Sequence, residues 1–457
     1  MPSLRSVRAD LSGEWAPTLT LAGPVMLGFL GMMLMGVVDT ILVGSLGSVA
    51  VGAVGVGSSI AGVAFLFGLG LLLGIDRQVA VAHGADRPDD VARAHTHGIA
   101  LALFASIPLV AGLWIASRQL SRLGVAPELV PLASAWLRVA SWSLLPALVF
   151  TAARQSLQAL GDTRAATAIL LTANAVNAFF NVALIHGRYG FPALGIAGSA
   201  WATLIARTYT MVLILAWSQW RGPDLRAVER RIHWRTMREL LRLGGPASIQ
   251  LIFEGGVFSM VTLLCARLGA TSAAAHNVAL QVSSFTFMMP LGVSAAGSVR
   301  VGNAIGRGDL AAAERAGWSA VLLGASFMAL SGLTLLSVAP SIVALFGLDD
   351  AAARLARTLL FCTAVFQLFD GCQVTLSGVL RGSGDTVASM VANLVGHWFV
   401  GLPVGCALAF YAGYGAVGLW MGLATGLGTV AFALLAIWRR RIGRIVRGEI
   451  IAVPADH

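Results

Sequence analysis

The sequence predicts an all-α integral membrane protein, with about 12 transmembrane helices in two pseudo-symmetric six-helix lobes. Three observations lead there. Of 457 residues, 57% are hydrophobic and only 11% charged, whereas soluble domains carry about 25% charge and roughly 45–50% apolar residues. One core cannot enclose so much apolar surface, so lipid must cover much of it. Apolar runs of about 20 residues, long enough to cross a bilayer, recur along the whole chain. Several short motifs also repeat at one spacing, which marks an internal duplication.

The runs lie at 17–41, 50–75, 96–116, 130–152, 166–187 and 193–217, then at 243–265, 275–297, 317–340, 357–379, 389–411 and 416–438. The first follows Arg5, Arg8 and Trp15 without a small-residue cleavage pattern, so it is expected to be retained as a helix. All 31 basic residues are arginine, and they fall mainly between runs. With the N-terminus inside, inner segments hold 23 arginines and outer loops 6; Arg138 and Arg207 fall within runs. The bias places both termini in the cytoplasm of a multi-pass protein. It also explains the net charge of +10 without nucleic acid, for which no reading motif is present.

Gly23-Pro24, Leu46-Gly47 and Gly84 match Gly245-Pro246, Leu268-Gly269 and Gly306 at an offset of 222. Gly161-Asp162-Thr163 and Gly195 match Gly384-Asp385-Thr386 and Gly418 at 223. The expected organisation is a lobe over 1–217, an Arg-rich cytoplasmic linker over 218–242, a second lobe over 243–438 and a basic tail over 439–457. Parallel repeats about an axis normal to the membrane are a transporter design, with the substrate site between halves. The Gly-Asp-Thr motifs read as turns in which Thr or Asp side chains cap exposed amides.

Three carboxylates interrupt the apolar runs: Asp39, Glu254 and Asp370. A carboxylate at membrane depth costs at least about 2.5–3.5 kcal/mol on insertion scales. It survives by facing a cavity, by pairing or by taking a proton. Such a group can exchange a proton between two sides, ligate sodium or attract a cationic compound. At the repeat offsets Met32 stands opposite Glu254 and Ala147 opposite Asp370, so the acids are not part of the repeated scaffold. Asn174, Asn177 and Asn181 share one face of the fifth run, and Thr203 of the sixth can join an amide-lined pocket near Asp39. Helix-to-helix glue is the plainer role for such amides. Met32, Met33 and Met35 form one bulky apolar cluster, and Phe285, Phe287, Met288 and Met289 a second. With Phe253, these residues are candidates for an adaptable wall against varied ligands, though core packing is the commoner role of methionine.

Neither Cys265, Cys362, Cys372 and Cys406 nor the histidines have metal-ligand spacing, and His276 and His397 read as structural. No phosphate-cradling glycine loop with lysine occurs, so no ATP motor resides on this chain and no ATPase subunit is required. No catalytic set or cofactor motif is found, and the chain is not read as an enzyme. Energy must then come from an ion gradient.

The stretches "MGVVDTILVGSLG", "LGGPASIQLIFEGGVFS", "AAHNVALQVSSFTFMMPLGVSAAGSVRVGNAIGRGD" and "FQLFDGCQVTLSGVLRGSGDT" resemble motifs of the MATE (multidrug and toxic compound extrusion) transporters, NorM-type branch. The resemblance spans roughly 15 to 440. It implies a two-lobed bacterial inner-membrane antiporter, monomeric, that expels cationic amphipathic drugs in exchange for H+ or Na+. It implies coupling or substrate roles for Asp39, Glu254 and Asp370, with sodium at Glu254 and Asp370. Asn177 and Asn181 match an amide-and-acid pair of some relatives, with Asn181 where certain members have Asp. The main rival is a flippase for lipid-linked precursors, which would line its cavity with arginine. A major-facilitator carrier would show a basic loop after the second run, where "GADRPDDVARA" is acidic.

Overall fold

The computed structural model describes residues 4–221 and 233–449. The central part of the Arg-rich linker, 222–232, and the end of the basic tail, 450–457, lie outside the described residues. Among the described residues twelve helices are long and apolar enough to cross a membrane. They are α1 (Leu4–Gly44), α2 (Ser48–Gly84), α3 (Pro88–Arg118), α4 (Val130–Ala159), α5 (Arg164–His186) and α6 (Ile196–Trp220). The second set is α7 (Trp234–Arg267), α8 (Ala270–Gly306), α9 (Leu310–Ala344), α10 (Asp350–Gly382), α11 (Val387–Tyr411) and α12 (Gly415–Val446).

Most helices outrun the apolar stretches that reveal them. The ninth run, 317–340, is the middle of Leu310–Ala344. Its first turn, Leu310 to Ala313, is capped by Asp309, whose side chain accepts from the Ala312 amide. Two helices are interrupted: α2 at Leu73 and α4 at Ser143. In α11, π-helical turns at Leu394–Gly401 and Ala407–Tyr411 flank a short α-helical piece that contains Pro403.

The duplication is visible in backbone angles. Gly47 and Gly269 precede α2 and α8 with φ of 98° and 111° and the same ψ of 169°. Only glycine populates that region readily, which is why both repeats keep it. Gly161 and Gly384 likewise share φ of 86° and 89°. In the second copy the Asp385 carboxylate accepts from the Ala388 amide, as expected of a capping turn. Thr163 and Thr386 sit at the caps without a side-chain bond, so the threonine part of that expectation does not hold. The aspartates also reach the last helix of their own half: Trp217 Nε1 donates to Asp162 and Arg441 Nη1 to Asp385.

The Gly195–Gly418 match is a misalignment. Gly195 and Gly415 are the pair with φ of 55° and 54° at the starts of α6 and α12. Gly198 and Gly418 are the pair whose missing side chains admit the preceding helix, each with backbone atoms closer than 3 Å to where a Cβ would stand.

The chain forms two compact units, cut differently from the lobes expected at 1–217 and 243–438. One comprises Leu27–Ser248; the other comprises Met1–Met26 with Ile249–His457. Helices α1 and α7 therefore each begin in one unit and continue in the other, and both cuts fall just after the repeated Gly-Pro. In the first unit the start of α7 packs so tightly that a Cβ on Gly244 would lie 2.0 Å from the Leu71 carbonyl oxygen. Ser248 Oγ donates to the Phe67 carbonyl at 2.8 Å. In the second unit Arg300 holds the start of α1, donating to the Glu14 carboxylate, the Glu14 carbonyl and the Thr18 hydroxyl.

Small residues set the packing elsewhere in that unit. Gly378 and Gly382 of α10 meet Ser294 and Ser298 of α8, and Gly401 and Gly405 of α11 meet Gly422 and Gly426 of α12. Both are small-xxx-small contacts, which let backbones approach where lipid offers no hydrophobic drive between helices.

Candidate functional site

In the unit of Leu27–Ser248, α1 supplies Asp39, α5 the asparagines and α6 Thr203. Asn181 Nδ2 donates to Asp39 Oδ1 at 2.7 Å and to the Asn177 carbonyl at 3.0 Å. Thr203 Oγ1 lies 3.2 Å from Asp39 Oδ2 and 3.1 Å from the Ser199 carbonyl, so one hydroxyl proton serves two acceptors. The spacing of four between Asn177 and Asn181 puts both on the face toward Asp39. Asn177 is fully buried beside the carboxylate, yet neither of its amide atoms has a hydrogen-bond partner, and Asn181 Oδ1 is also unpartnered. Buried polar atoms are normally satisfied, so such a concentration next to an acid suits a place where water or an ion comes and goes.

Asn174 is not part of this contact. Its Nδ2 donates to the Leu170 carbonyl at 2.9 Å and faces Gly31 of α1, two turns before Asp39. Arg207, one turn beyond Thr203, acts electrostatically on Asp39. It donates to Ser143 Oγ at 2.8 Å, at the interruption of α4, and lies over the Phe65 ring. An arginine inside an apolar run was the available signal for it.

The second unit holds Glu254 of α7 and Asp370 of α10. Glu254 is close enough for its charge to act on Asp370, and Gln373 lies near Glu254. Gln373 lies three residues after Asp370, hence on the same side of α10. Its Nε2 also donates to Asn393 Oδ1 at 3.1 Å, while its Oε1 is buried and free. No ion pair joins Asp39, Glu254 or Asp370 to an arginine among the described residues.

Phe253, next to Glu254, packs its ring against Trp398 at 6.4 Å, and its carbonyl accepts from Trp398 Nε1 at 3.0 Å. Met32 stands seven residues before Asp39 on the same face of α1 and is half-buried. Phe285 is exposed, with Met288 and Met289 half-buried, on α8. Beside them Thr286 Oγ1 accepts from Gln367 Nε2 of α10 at 2.9 Å.

Sequence reading missed Gln373, Asn393 and Gln367, because amides in apolar helices carry no mark that separates a site from helix glue. His276 is held between Trp420 Nε1, at 3.1 Å from Nδ1, and Thr262 Oγ1, at 2.8 Å from Nε2, a structural role. His397 lies on the first π-helical stretch of α11, four residues after Asn393, with both ring nitrogens buried and unpartnered. Among the described residues no group of three His, Cys, Asp or Glu is placed to hold a metal. Cys265 is buried and the other three cysteines are partly exposed, all of them free.

The profile of the MatE family matches residues 24–183 and again 246–406, two copies whose starts are 222 residues apart. A probable multidrug resistance protein NorM of Bradyrhizobium diazoefficiens is 38% identical over 94% of this chain and 94% of its own length. The multidrug resistance protein NorM of Burkholderia vietnamiensis is 38% identical over 97% of each chain. Among solved structures, a MATE crystal structure in the bent conformation superposes with a TM-score of 0.88, covering 98% of this chain and 99% of its own, at 20% identity. The eukaryotic MATE transporter AtDTX14 superposes with 0.86 over 96% of this chain and 100% of its own, also at 20% identity.

Proposed function

Because the chain belongs to the MatE family of multidrug-efflux transporters, we propose that it is an antiporter that exports cationic, amphipathic compounds in exchange for H+ or Na+. The observation that carries this reading is the pair Glu254 and Asp370: two carboxylates inside membrane spans of one unit, with the charge of Glu254 acting on Asp370 and no arginine ion pair to either among the described residues. Two anions so close repel each other, so a proton or a cation between them is favoured.

A proton neutralises one carboxylate. Sodium, which prefers oxygen ligands, would draw on Glu254, Asp370 and the free Gln373 Oε1. Asp39, with Asn177, Asn181 and Thr203, forms the corresponding acceptor in the other unit. The charge of Arg207 also acts on Asp39.

The cycle is alternating access. The coupling cation reaches the carboxylates from outside and competes with the bound compound's positive charge, which promotes release. After the switch the cation leaves to the cytoplasm and a new compound binds. A ligand shifts two states only through its different affinity for each, and this competition supplies the difference. Met32, Phe253, Phe285, Met288 and Met289 would give the compound its apolar contacts. The arginine bias supports both termini in the cytoplasm, and the bacterial relatives support a place in the bacterial inner membrane. Glu254 and Asp370, acids with no arginine ion pair among the described residues, speak against the flippase reading.

Two measurements test the proposal. Ethidium efflux from cells under separately imposed sodium and proton gradients identifies the coupling ion, and indifference to both rejects coupling. Asp370→Asn in everted vesicles abolishes substrate-stimulated cation movement, and unchanged antiport rejects the assigned role.

A further inference from the structure

A cavity of about 410 Å³ lies where α3 ends and α4 begins, well away in sequence from every acid discussed above. Arg118 closes α3 on one side of it, and Arg138 of α4 lies on the other, with Ser117 and Ser134 between. Both arginines are exposed, and neither has an acidic partner among the described residues. Arg118 rests its guanidinium 5.7 Å from the centre of the Trp114 ring. Ser117 Oγ already donates to the Trp114 carbonyl at 2.7 Å, which leaves Ser134 as the uncommitted hydroxyl.

On α4 the exposed residues Pro131, Ala135, Arg138 and Trp142 follow at spacings of four, three and four, so they share one outward face. Arg138 is eight residues into the helix, about 12 Å from its start at 1.5 Å per residue. A guanidinium on the outer face of a membrane span reaches back toward the polar layer. Helical side chains point toward the N-terminal end, so Arg138 reaches toward Arg118.

We propose that this cavity binds the phosphodiester headgroup of an anionic phospholipid, held between Arg118 and Arg138 with Ser134 as a third donor. Two guanidinium forks match the oxygens of one phosphate. No carboxylate lines the cavity to receive the amine of a zwitterionic lipid, whose cation would be a third positive charge in the same space. Ile115, three residues before Arg118, and Trp142, four residues after Arg138, are 62% and 53% exposed and offer surface for the acyl chains, which a free phosphate lacks.

The test is native mass spectrometry of the full chain in detergent, titrated with phosphatidylglycerol or phosphatidylcholine, and with inorganic phosphate as competitor. Phosphatidylglycerol stays bound, and Arg118→Gln with Arg138→Gln weakens retention about tenfold, while Arg138→Lys, which keeps the charge but loses the fork, weakens it less. Should the double variant melt with the wild type but hold the lipid equally well, the proposal fails. Equal retention of phosphatidylcholine also overturns it, as does displacement by inorganic phosphate at equal concentration. If the double variant does not fold, each single variant is titrated, and each must weaken retention.

Discussion

Asp39 accepts two hydrogen bonds of unequal character. The Asn181 amide, at 2.7 Å, has a second proton for the Asn177 carbonyl, whereas the single Thr203 proton is shared with Ser199. Asn181→Leu therefore removes the stronger donor. A hydrogen bond to a charged group contributes about 1.5–3 kcal/mol. Thr203→Val removes a bond already divided. The expected order of ethidium efflux is wild type, then Thr203→Val, then Asn181→Leu, with the last at least about tenfold below wild type. Equal rates for the two variants would contradict the assignment. The acids were legible in the sequence because a charge in an apolar run has few bland explanations. The groups that hold them were only partly so. Asn177, Asn181 and Thr203 could be grouped by spacing within their own helices, but Asn174, on the same face, turned out to pack on Gly31. Gln373 is one glutamine among several in apolar runs, and nothing but the fold shows that its amide lies against Glu254.

At the scale of elements, the duplicated turns are where sequence reading reached furthest. Gly47 and Gly269 repeat in the text and repeat in conformation, with ψ of 169° at both. A side chain in that region strains the backbone by about 1–3 kcal/mol. Gly47→Ala and Gly269→Ala are each expected to lower Tm in detergent, although neither meets a steric neighbour. An unchanged Tm in both would show that the turns relax. Helix ends were less legible: in α9 the charged Glu314 and Arg315 separate the first turn from the apolar run, so the start of the helix reads as loop until its Asp309 cap is seen. The π-helical turns of α11 left no signature beyond Pro403, since widening a helix by one residue changes no composition.

At the scale of the whole molecule, the repeat announced two halves but not where each compact unit is cut. Periodicity locates helices; which neighbours a given turn packs against depends on pairs far apart in the chain. The start of α7 covers Gly70 and Gly74 of the first unit, and the start of α1 is gripped by Arg300 of the second. A fragment ending at residue 217 is thus expected to be recovered in far lower yield than one ending at 248, scored by size-exclusion chromatography in detergent. Co-expression with 249–457 is expected to raise recovery of both pieces. Comparable yields for the two N-terminal fragments would argue that the stretch 234–248 is dispensable.

The exchange of opening turns between units also orders events on the ribosome. The stretch ending at Met26 is synthesised first, yet its docking residue, Arg300, follows nearly three hundred codons later. The earliest segment to enter the bilayer is among the last to find its seat. A message truncated anywhere before that codon yields a polypeptide whose opening turns have nowhere to settle.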